Sequence, residues 1–120
     1  MRLLIDAGAD KEAKDKRGNT ALILAAYDGH SDCVRLLMYA GADKEAADNR
    51  GGTALMRAAA FGYMDCVRLL LDAGADKDAR DKRGGTALIL TALNHEPDCM
   101  RLLIDAGPTR RPQITMEAQR

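Results

Sequence analysis

An all-α solenoid of stacked helix-turn-helix units, joined by hairpin-like loops, is the fold that this 120-residue sequence predicts. Three observations predict it. The segment GNTAL at Gly18–Leu22 returns as GGTAL at Gly51–Leu55 and again at Gly84–Leu88, each time 33 residues on. GADKEA at Gly8 recurs at Gly41 and, as GADKDA, at Gly74 in the same register. Cys33, Cys66 and Cys99 keep that spacing too. Chance does not hold three independent markers in phase over three cycles. A helix pair of this size cannot bury its apolar face alone, and stacking on the next pair solves the problem.

The elements follow in order. Extending the register backwards sets Met1 opposite Val34, in the middle of a second helix. Residues 1–17 therefore read as a partial unit, MRLLIDAG and its loop, without a first helix. Full units then span 18–50, 51–83 and 84–107. In the first of them Thr20 can cap a helix, ALILAAYD, whose end Gly29 marks by supplying a left-handed turn. Asp32, Asp65 and Asp98 stand early in the second helices, at the positive end of the helix dipole. CVRLLMYA and CVRLLLDA carry apolar residues at helical spacing, with Arg35, Arg68 and Arg101 on the polar face. Gly41, Gly74 and Gly107 stop the second helices, and the polar, turn-rich stretch ADKEAADNRG reads as an extended loop. The array thus covers 1–107. Pro108 replaces the Ala that follows each earlier Gly, and 108–120 (PTRRPQITMEAQR) leaves the pattern with a disordered composition. A basic docking peptide built on Arg110 and Arg111 is the alternative for that tail. Neither end carries the polar capping unit that solenoids use, which points to a piece of a longer array or to an unusually short monomer.

With these residues in place, the chain resembles the ankyrin-repeat family from Met1 to about Gly107. The resemblance rests on the period, the LLxxGAD segments, the DGHSD turn and a Thr-x-Leu-x-x-Ala pattern. The family's T-P-L-H-x-A appears as Thr20-Ala21-Leu22-Ile23-Leu24-Ala25, Thr53-Ala54-Leu55-Met56-Arg57-Ala58 and Thr86-Ala87-Leu88-Ile89-Leu90-Thr91. Pro and His are replaced in all three. Pro at the first helical position is helpful rather than required. Loss of the His removes bonds that in the family brace one loop against its neighbour, which implies looser loops here.

Composition bounds the function. Lys+Arg and Asp+Glu both total 18, so the basic excess on which nucleic-acid binders rely is absent. Aromatic residues make up 3%, with no Trp and one Phe, too few for base-stacking platforms. No stretch has the length of a membrane helix, and the N-terminus lacks the apolar core of a secretory signal. Three Cys without a signal suggest a reducing, intracellular setting, the cytoplasm foremost.

Chemistry finds little purchase. Gly51-Gly52 and Gly84-Gly85 lack the Gly-Lys-Ser/Thr of a phosphate loop and read as turns. The three Cys fall on the inner side of the second helices as packed thiols. The spacing of stacked units that the resemblance implies is too wide for a disulfide between neighbouring Cys. Zinc wants four converging ligands, whereas His30, His95 and the Cys are spread along the stack. His95, Glu96 and Cys99 could in principle form a thiol or metal site. In register, however, they are a repeat junction: His95 stands where other units have Gly and must take the left-handed turn, while Pro97 starts a helix. The expectation is no enzyme activity, no metal and no cofactor.

Recognition suits a stack with a continuous concave surface. The resemblance implies contacts from loop tips and from the exposed side of the first helices. The matching tip residues are Lys16, Arg17 and Asn19, then Asn49 and Arg50, then Lys82 and Arg83. The helix positions are Tyr27 and Asp28, Phe61, and Leu93 and Asn94. Arg17, Arg50 and Arg83 would form a ladder of positive charge. Tyr and Arg are favoured anchors, so the expected partner is a protein with acidic and apolar groups. Lys11, Lys44 and Lys77, each followed by an acid, read as a solvated edge. A targeting or autoinhibitory fragment of a larger multidomain protein or enzyme is the alternative.

Overall fold

In the computed structural model, residues 9–107 are described. They hold six helices: α1 (Ala21–Tyr27), α2 (Ser31–Tyr39), α3 (Ala54–Ala60), α4 (Met64–Asp72), α5 (Ala87–Leu93) and α6 (Pro97–Asp105). The expected helical part of the partial unit, at 1–8, and the tail at 108–120 lie outside the described residues.

Seven- and nine-residue helices are too short to persist alone in water, so capping and packing must hold them. Thr20, Thr53 and Thr86 each sit at an N-cap with extended backbone, and each hydroxyl accepts from the amide three residues on, at 3.3 Å. The outer helices α2, α4 and α6 have no side-chain cap, but each carries an acid in its first turn, Asp32, Asp65 or Asp98. Pro97 opens α6, where its missing amide hydrogen costs nothing.

Inner helices α1, α3 and α5 pack side by side, the outer helices do the same behind them, and each inner helix lies on its own outer partner. Alanine makes this approach possible: Ala25, Ala26, Ala58 and Ala59 are buried between neighbours. Position by position, burial depends on place in the stack. Leu22 and Leu55 are 1% exposed whereas Leu88, their counterpart in α5, is 39% exposed; Ile89 and Ile104 are likewise uncovered on that end. Thr91 replaces the Ala of earlier units in a fully buried position, and its hydroxyl donates to the Leu88 carbonyl at 2.6 Å.

The loops are better braced than the missing His implies. The Asn49 amide donates to the Arg17 carbonyl, and the Lys82 amide to the Arg50 carbonyl, both at 2.9 Å. At the other edge the Glu12 carboxylate accepts from the Asp43 amide, and Glu45 from the Asp76 amide, each at 2.9 Å. The acids of the expected solvated edge therefore tie successive units together.

His95 takes φ 55°, while Gly29 and Gly62, its counterparts, take 72° and 78°. The strain expected at this junction is present. An exposed His in the left-handed region costs more than Gly there, and the greater freedom of Gly in the unfolded chain offsets part of the gain. His95→Gly should stabilise the chain by about 0.5–1 kcal/mol, seen as a melting temperature raised by a few degrees; an unchanged or lower one would sink the strain argument.

Candidate functional site

Each loop tip is built by an aspartate that the repeat pattern did not single out. Asp15 Oδ1 accepts from the Arg17 and Asn19 amides, Asp48 Oδ1 from Arg50 and Gly52, and Asp81 Oδ1 from Arg83 and Gly85, all within 2.8–3.0 Å. Such a side chain closes the turn on itself and fixes where the arginine leaves the backbone. The Asn19 amide bond holds Asp15 below its ordinary carboxylate range despite some desolvation, with help from the Arg17 amide.

The second loop has an extra clamp. Arg57 stands in α3 where α1 has Leu24 and α5 has Leu90. Its Nε and Nη2 both donate to Asp48 Oδ2, at 3.0 and 2.7 Å. The side chains are 15% and 9% exposed, so the pair is shielded from solvent. Burial pushes the Asp48 carboxyl up, but bonds from the Gly52 amide, the Arg57 guanidinium and the Arg50 amide outweigh it and leave the group below its ordinary value. Gly52 makes the clamp possible: a Cβ there would collide with Arg57 Nη2.

Between the first two loops and the inner helices lies a groove of about 570 Å³. Six of the residues expected at a binding surface line it: Arg17, Asn19, Tyr27, Asp28, Asn49 and Arg50. Leu24, Asp48 and Arg57 complete the lining. Asn19 differs from a free loop tip, being 9% exposed with its side-chain amide on Asp15 Oδ2. Asn49 spends its side-chain amide on the Lys16 carbonyl at 3.0 Å. Phe61 lies just beyond the groove, its ring centroid 4.9 Å from that of Tyr27, and Tyr63 follows at 6.3 Å from Phe61. Lys16, Lys82, Arg83, Leu93 and Asn94 are exposed but do not line this groove. Leu93, 69% exposed, extends the apolar inner surface into the third pair. Leu24, Asp48 and Arg57 were missed, and the signal for Arg57 was a charge standing at a position the other units fill with leucine.

The structure does not bring His95, Glu96 and Cys99 into one site. His95 is exposed at its turn, whereas Cys99 is fully buried. Burial first, then the Glu96 and Asp98 carboxylates, push the Cys99 thiol up to about 11. Among the described residues no three His, Cys, Asp or Glu converge to hold a metal ion. The thiolate is the reactive form, so Cys99 and Cys66, which burial also raises, should alkylate at least tenfold more slowly than half-buried Cys33 under mild alkaline conditions. Mass-spectrometric site quantification would read this, and equal rates at all three would contradict the packing.

Paired short helices, Thr caps, Asp-closed tips and a groove along the inner helices define a helix-pair repeat protein. A family model described as ankyrin repeats (3 copies) matches residues 1–81, about two thirds of the chain. The chain belongs to the ankyrin-repeat family, and α5–α6, beyond that match, repeat the same unit. A search of curated proteins finds no match. Ankyrin repeats are protein–protein interaction modules. Among the described residues no helix is long and apolar enough to cross a membrane.

Proposed function

We propose that the chain binds a protein partner bearing acidic and apolar groups, without itself catalysing a reaction. The binding surface runs from the tips at Lys16–Arg17, Asn49–Arg50 and Lys82–Arg83 onto the inner-helix ends at Tyr27, Asp28, Phe61, Leu93 and Asn94. One observation carries the reading: cations fixed at the loop tips face partly exposed apolar side chains across a groove. Tyr27 and Phe61 are 41% and 47% exposed while their rings touch at a tilt of 40°. Aromatic rings held this way offer area at little entropic cost, which is what interface anchors need. Replacing Tyr27, Arg50 and Phe61 together by Ala should abolish partner capture and leave the far-ultraviolet circular dichroism unchanged. Photo-cross-linkers at these positions should mark the partner, and one at Tyr39, 92% exposed on the outer helix, should not. Retained capture by the triple variant would refute the placement.

A further inference from the structure

The groove between the first two units is not equally suited to every partner group. Its lining holds three arginines, Arg17, Arg50 and Arg57, against two aspartates, Asp28 and Asp48. Asp48 is already spent, since it accepts from Arg57 and from two loop amides. Arg57 gives Asp48 only its Nε and Nη2, so Nη1 has no partner among the described residues. Arg17 and Arg50 are held by the backbone from both sides: each amide donates to its own aspartate, and each carbonyl accepts from the next loop. The Arg50 guanidinium has no partner among the described residues, while that of Arg17 lends its charge to Asp15 without a hydrogen bond to it. The groove therefore presents rooted donors with unused N–H groups, beside Leu24 and Tyr27, which are 42% and 41% exposed. Asp28 opposes an incoming anion and Asp48 keeps its charge although bonded, so three arginines against two aspartates leave the lining one positive charge in excess.

We infer that this groove seats a glutamate or aspartate side chain of a partner segment, its carboxylate taken by Arg50 and Arg57, with the adjacent apolar residue resting on Leu24 and Tyr27. The inference rests on the partner-binding reading above and assigns it one subsite. Guanidinium forks match carboxylates in geometry as well as charge. Arg57 is preorganised because Asp48 already fixes it, so little freedom is lost when the acid arrives.

The test uses the full chain, labelled with nitrogen-15, and the peptide acetyl-Leu-Glu-Leu-Gly-amide as probe, with acetyl-Leu-Gln-Leu-Gly-amide as its uncharged twin. Saturable shifts should appear at the Asn49–Gly52 amides and at the Arg57 Nε–H. The Gln peptide should bind about tenfold more weakly. Arg50→Ala, which touches no side-chain contact within the fold, should weaken the Glu peptide by a similar factor. Asp28→Asn should tighten it severalfold and leave the Gln peptide unaffected. Equal affinity for the two peptides, shifts confined to α5 and α6, or no saturable shifts at millimolar peptide would each overturn the inference. If the Tyr27, Arg50 and Phe61 triple variant still loses its partner in that event, the wider binding surface stands and this subsite alone falls.

Discussion

Leu55→Ala should cost about 3 kcal/mol, and the same change at Leu88 about 1 kcal/mol or less. The two leucines occupy one register position of the repeat. Leu55 is 1% exposed in α3, which lies between α1 and α5, whereas Leu88 is 39% exposed on the uncovered side of α5. Truncating a fully enclosed leucine loses its transfer free energy and leaves a cavity that neighbours on both sides cannot collapse. At Leu88 solvent already reaches the side chain, and little cavity forms. Small domains have only about 5–15 kcal/mol in hand, so Leu55→Ala should bring the urea midpoint down sharply. Chemical denaturation of both variants, followed by helical circular dichroism, separates the cases. Equal losses would mean that the register does not control burial as described.

Asp48→Ala should be nearly as damaging, at about 3 kcal/mol. It leaves Arg57 charged and shielded without its partner, and it strips the Arg50 and Gly52 amides of their acceptor. Asp15→Ala is the control, because Asp15 closes an exposed tip without a guanidinium clamp, and its cost should be well under half as large. Asp48 also sets a pH dependence. Its folded carboxyl titrates below the ordinary 3.8, so the stabilisation is complete above that value and is lost as pH falls through the folded pKa. The stability gap between the native chain and Asp48→Asn should therefore be constant near neutrality and close on acidification below 3.8. A gap that widened in acid would rule out the clamp as its source.

Most of the architecture could be read from one period. Thr20, Gly29 and Pro97 announce helix starts and stops through their own backbone chemistry, and aligned units exposed His95 as the residue forced into a glycine turn. The groove was half legible: Arg17, Tyr27 and Arg50 were found because the family resemblance places contacts at loop tips and at the exposed ends of the first helices. Arg57 and Asp48 were not, because their bond spans nine residues and depends on a missing Cβ at Gly52. Periodicity records which residues share a position, not where a long side chain turns. Glu12 and Glu45 escaped for a related reason, since each reaches a backbone amide 31 residues away, just off the repeat length.

The cysteines show which way each unit faces. Cys99 is fully buried although no described helix follows α6, and Cys66 is fully buried in the middle of the stack, while Cys33 on the first outer helix is only half-buried. Among the described residues, this is the burial expected where the sulfurs of Cys66 and Cys99 face the helix pair before their own. A thiol so placed meets solvent only when its own pair parts from the one before it. Cys66 is then a natural gauge of the first joint and Cys99 of the second. Thiol labelling over time would give, from one unmodified chain, a separate opening rate for each joint along the stack.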